Sequence, residues 1–262
     1  MTRLEFLLAI AIVFLIGVIS MLVSTLTGGG TNVILVPFLI LIYHFPAGEA
    51  IGTAFLALLA GSIIAALGFI AKGQAKVRLG ILLGLLTVPG ILLGTLLSAI
   101  TQEELFRLSL GIVILALSFL VAKGRHGEKD NLSSDVQQHV TNLPNLKLAS
   151  VLFVATGFFI GFFGQGGGLL LLPVMQFAGF SFLQTLGTLR IIAMIISATA
   201  FSSRLAIAQV NLTIGVFLAL GTIAGGFLGA RIATSANITL LKYLAAALIA
   251  SLGVALIVET VA

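Results

Sequence analysis

Long apolar runs, broken at near-regular intervals by glycine or a few polar residues, make up almost the whole chain. These breaks predict ten apolar segments: residues 4–26, 32–43, 47–71, 79–100, 105–122, 148–163, 169–177, 181–205, 212–233 and 238–258. Most reach or approach the ~20 apolar residues that cross a hydrocarbon core. The second and seventh do not. Twelve helical residues rise only about 18 Å, against a core of about 30 Å. Each short segment follows a glycine run, Gly28-Gly29-Gly30 in one case and Gly166-Gly167-Gly168 in the other, and each carries an early proline, Pro37 or Pro173. Glycine inside a helix costs roughly 1 kcal/mol relative to alanine. A spanning segment with three in a row either packs closely on a neighbour or is interrupted there. Half-helices starting within the membrane fit both places.

The pattern also repeats. Shifted by 135, the first half falls into register with the second from Gly52 onward. Gly52-Thr53 meets Gly187-Thr188, Ser62 meets Ser197, Gln74 meets Gln209, Thr87 meets Thr222, and Gly80, Gly90 and Gly94 meet Gly215, Gly225 and Gly229. Leucine matches mean little in such a background, whereas coincident polar residues and glycines mark an internal duplication. The predicted organisation is a first repeat over residues 1–122, a linker over 123–147 and a second repeat over 148–262.

Composition agrees with the segments. The chain of 262 residues is 60% hydrophobic and 8% charged, against about 25% charged in soluble domains. A multi-pass protein of the cell (inner) membrane is expected, with the lipid bilayer as its solvent. The apolar run after Arg3 is longer than the roughly 7–15 residues of a signal-peptide core, so it reads as the first spanning helix. The net charge of +5 points to loop orientation rather than nucleic acid. The loop after the third segment carries Lys72, Lys76 and Arg78, while its counterpart over 207–213 carries no charge. Basic loops favour the cytoplasm, so equivalent loops are expected on opposite sides. The predicted fold is an all-α polytopic membrane protein. It has two inverted-topology repeats of about five helical segments each, with short broken half-helices near the midplane. Cysteine is absent, which removes disulfides and thiolate metal sites.

Little in the spanning segments suggests catalysis. No Asp or Glu falls at mid-depth, so a carboxylate proton relay is not visible, and the glycine runs lack the Lys-Ser/Thr of a nucleotide loop. Enzyme function, a metal and a cofactor are not expected. One charge stands out: Arg190 lies well inside the eighth segment, where its counterpart is Phe55. An ionised side chain at that depth is costly and marks a functional site unless it snorkels or pairs with carbonyls. Arg204 lies near its segment end, where snorkelling is expected. Neutral polar groups gather at the breaks. Thr31 and Asn32 would cap the first half-helix, and Gln165 precedes the glycines of the second. A helix start offers free amides and about half a positive charge, so two facing starts would cradle an oxyanion. The candidate substrate-binding residues are Gly28, Gly29, Gly30, Thr31, Asn32, Thr53, Gln165, Gly166, Gly167, Gly168, Thr188 and Arg190. For Thr53 and Thr188, a bond to their own helix backbone competes equally with a ligand role.

At these residues the chain resembles the sulfite exporter TauE/SafE family. The likeness rests on the glycine triplet followed by proline, the Gly-Thr of the next helix, the loop Lys72-Gly73-Gln74-Ala75-Lys76-Val77, and the later glycine-rich helix, in two copies. In the second copy Gly187-Thr188-Leu189-Arg190 departs from the more usual Gly-Thr-Ser-Leu. The resemblance implies transport of a small anionic substrate, such as sulfite or an organosulfonate like sulfoacetate, with export as the expected direction. It leaves room for a homo-oligomer. Two other readings stand beside it: a membrane scaffold or chaperone docking a partner complex through the linker, and a passive anion channel.

Overall fold

The computed structural model describes residues 3–28, 30–123, 146–164, 171, 175, 182–233 and 238–261. Among the described residues the chain forms helices α1 (Arg3–Thr27), α2 (Asn32–Tyr43), α3 (Ala47–Ala71), α4 (Val77–Ala99), α5 (Glu103–Lys123), α6 (Leu146–Phe163), α7 (Phe182–Ala206), α8 (Leu212–Ile232) and α9 (Ile238–Val261). These follow the apolar segments closely, because a continuous apolar run in lipid can satisfy its backbone only as helix. The seventh predicted segment lies outside the described residues apart from Leu171 and Met175, both buried. The linker lies outside them too, except that α5 runs to Lys123 and α6 begins at Leu146.

Residues 8–27, 47–71, 77–99, 183–206 and 212–232 are each long and apolar enough to cross a membrane. Leu15, Leu67, Leu85, Leu93, Leu96 and Phe227 are exposed on their outer faces. In water such a belt would drive aggregation; in lipid it is the solvated surface. The chain is a multi-pass membrane protein.

Helix α1 packs on α8, α4 on α6, α5 on α9, and α3 on both α7 and α8. Small residues bring these backbones together. A Cβ added to Gly90 would overlap the Val154 carbonyl oxygen, and one on Gly225 would overlap that of Val18.

Residues 135 apart make reciprocal contacts. The Thr53 hydroxyl accepts from the Asn211 N–H at 2.9 Å, and the Thr188 hydroxyl accepts from the Lys76 N–H at 3.1 Å. A Cβ on Gly52 would overlap the Gln209 carbonyl, and one on Gly187 would overlap that of Gln74. Helix α3 ends with Gly73 at φ +67° and a Gln74 N–H to Phe69 carbonyl bond; α7 ends with Ala208 at φ +56° and a Gln209 N–H to Arg204 carbonyl bond. Arg204, late in α7, touches Gly48 and Gly52 at the start of α3, while Phe69, late in α3, touches Gly187 early in α7. The two helices are therefore antiparallel, and the loops that follow them lie at opposite ends of the pair.

Candidate functional site

Helix α1 stops at Gly28, whose φ of +71° turns the chain out of the helix as its N–H closes on the Ser24 carbonyl. Helix α6 stops in the same way at Gly164, with φ +75° and an N–H bond to the Ile160 carbonyl. Only glycine adopts this conformation without steric cost. The two interruptions meet: the Asn32 side-chain N–H donates to the Gly164 carbonyl at 2.8 Å.

The start of α2 is closed by backbone rather than side chain. The Val33 N–H donates to the Gly30 carbonyl, and those of Ile34 and Leu35 donate to that of Thr31. Neither Thr31 nor Asn32 makes a side-chain cap, which corrects the capping expected of both; the Thr31 hydroxyl instead lies 3.3 Å from the Met21 sulfur. The amides of Gly30, Thr31 and Asn32 have no hydrogen-bond partner among the described residues. Asn32 is buried at 1% exposure, and its carbonyl oxygen has no partner either.

Arg190 reaches this region from α7. It is 3% exposed, and its Nη2 donates to the carbonyl and, at 3.1 Å, the hydroxyl of Ser24. The carbonyl at the end of a helix carries part of the macrodipole's negative charge, so the guanidinium has a partial counter-charge. No carboxylate of the described residues lies within ion-pair distance of it, and its Nε is buried without a partner. Ser24 is not among the residues that the sequence singles out. A signal for it exists, because Ser20, Ser24, Thr25 and Thr27 crowd the last turns of an otherwise apolar helix. Thr25 and Thr27 turn their hydroxyls back to the Met21 and Val23 carbonyls.

The structure separates the remaining candidates. Thr53 and Thr188 accept bonds from loop backbone at opposite ends of the α3–α7 pair, so they do not meet at one point. Thr188 also donates to the Gln184 carbonyl of its own helix. Gly29, Gln165, Gly166, Gly167 and Gly168 lie outside the described residues.

Arg204 does not snorkel. It is fully buried, and its guanidinium donates to Gln209 Oε1 at 2.7 Å, Ser98 Oγ at 2.8 Å, the Gly161 carbonyl at 3.0 Å and the Gly48 carbonyl at 3.3 Å. A guanidinium carries about five N–H donors. These acceptors serve its two terminal nitrogens, and Nε is left without a partner. Gly48 and Ser98 lie in α3 and α4, Gly161 in α6 and Gln209 just after α7, so this side chain ties the two halves of the chain together. Beside it opens a cavity of about 210 Å³ lined by residues that include Glu49, Ser98, Thr101, Glu103 and Gln209.

Residues 13–256 match the family described as Sulfite exporter TauE/SafE. The chain is 26% identical over 234 residues to a probable membrane transporter protein, ORF9, of Sinorhizobium sp, covering 89% of this chain and 86% of the relative. It is 26% identical over 235 residues to a probable membrane transporter protein of Haemophilus influenzae, covering 89% and 88%. It is 25% identical over 242 residues to the probable membrane transporter protein YunE of Bacillus subtilis, covering 86% and 89%. No solved structure matches the chain significantly.

Proposed function

The chain belongs to the sulfite exporter TauE/SafE family of membrane transporters, and from that premise we propose that it exports small sulfur-containing oxyanions. The observation that carries this reading is Arg190, a buried cation beside the interrupted end of α1 with no carboxylate of the described residues in reach. An anion there completes the charge balance. The amides at the start of α2, without a partner among the described residues, add donors of the kind that bind oxyanions at helix starts.

In this reading the two copies, residues 1–122 and 148–262, sit upside down relative to each other in the bilayer, joined by the cytoplasmic linker over 123–147. The reciprocal contacts 135 residues apart support it, as does the antiparallel α3–α7 pair. The end with Lys72 and Lys76 faces the cytoplasm, as basic loops do. A negative-inside potential drives a monovalent anion outward by about 2.3 kcal/mol per 100 mV, so export requires no coupling cation.

Flux of sulfite, sulfoacetate and sulfate from proteoliposomes tests this. Saturable efflux driven by an imposed potential, without a proton gradient, is expected for at least one sulfur oxyanion. Flux that needs a proton gradient, or none above empty liposomes, would overturn it.

A further inference from the structure

At the junction of α1, α2 and α6, a set of donors has no hydrogen-bond partner among the described residues. The amides of Gly30, Thr31 and Asn32 and the Arg190 Nε all offer hydrogens. Beside them stands a side-chain acceptor. The Asn32 carboxamide is oriented by its N–H bond to the Gly164 carbonyl at 2.8 Å. Turning it over would set oxygen against oxygen, so its own oxygen is fixed as an acceptor. That oxygen is buried in a residue of 1% exposure and has no partner among the described residues.

A buried acceptor left unsatisfied is costly. Set beside a fully deprotonated oxyanion, it would also repel the ligand's own lone pairs. Both problems disappear if the ligand brings a hydrogen of its own. We propose that the site takes a monoprotonated oxyanion, a singly charged species whose O–H donates to Asn32 Oδ1 while its other oxygens accept from the α2 amides and Arg190. One guanidinium and one helix start also balance a single negative charge better than two. This deepens the anion-transport reading and rests on it.

The test measures binding to the purified full-length protein by calorimetry across pH. The ligands are sulfite, which exchanges its proton in the range studied, and methanesulfonate, a monoanion with no O–H. Sulfite affinity is expected to fall about tenfold per pH unit once hydrogen sulfite deprotonates. Methanesulfonate affinity should stay flat with pH and at least about tenfold weaker than that of hydrogen sulfite. Asn32→Leu should remove the preference between the two ligands at low pH. Sulfite affinity that is flat or rises through its deprotonation overturns the proposal, as does methanesulfonate binding equal to hydrogen sulfite. If those results come with binding that Arg190→Ala abolishes, the anion site stands and only the protonation claim fails. If Arg190→Ala leaves all binding intact, or no anion binds, the site reading fails with it.

Discussion

Helices α3 and α7, matched at an offset of 135 residues, differ in charge at three positions, and at the first of these α3 has Glu49 where α7 has Gln184. Where α3 has Phe55 and Phe69, α7 has Arg190 and Arg204. The backbone barely registers this. Both helices end in the same left-handed turn, and both lend a threonine hydroxyl to the other copy's loop. The chemistry differs completely, because the second copy holds both buried arginines of this helix pair. Each donates to a carbonyl near the end of an interrupted helix: Arg190 to Ser24 in α1, and Arg204 to Gly161 in α6.

Giving α7 the first copy's residue at 204 should have the largest effect. Arg204→Phe strips the donors from four acceptors in a buried setting. A loss of about 3 kcal/mol in stability is expected, read as a lower midpoint in thermal unfolding in detergent. A midpoint equal to wild type would mean the four bonds contribute nothing net.

Arg190→Ala should act on transport before stability. Truncating a buried charge against its partner costs about 2–5 kcal/mol, so flux should fall by about 100-fold. Unchanged flux would remove Arg190 from the site.

Thr53→Val and Thr188→Val remove matching bonds to loop amides, each worth about 1 kcal/mol. Similar losses for the two variants, measured by denaturation, are expected if the copies are equivalent there; a large inequality would break the comparison.

The smallest effect is at the turn after α7. Ala208 holds φ +56° where the first copy has Gly73 at φ +67°. An L-residue in that conformation is strained by roughly 1–2 kcal/mol, partly offset by the greater freedom of glycine when unfolded. Ala208→Gly should therefore stabilise by about 0.5 kcal/mol, visible as a small rise in midpoint. A fall would show that Ala208 packs in a way Gly73 does not.

Much of this is legible in the chain itself. Apolar runs and glycine breaks locate the helices, because helix is the form in which a backbone survives in lipid. Gly52, Thr53 and Gln74 match their counterparts in sequence, and the contacts give the reason. The cap expected of Thr31 and the snorkelling expected of Arg204 fail for the same cause. Each side chain depends on partners from other segments, Met21 for Thr31 and Gly48, Ser98 and Gly161 for Arg204.

Sequence alone determined that the chain lies in a membrane and where α1 and α6 break, since those follow from hydropathy and glycine along the chain. Tertiary structure alone decided which buried groups meet: that Asn32 spans to Gly164, that Arg190 rests on Ser24, and that the Asn32 carboxamide oxygen finds no partner among the described residues. Hydrogen bonds act over about 3 Å, and residues 132 or 166 positions apart come within that distance only once the helices have packed.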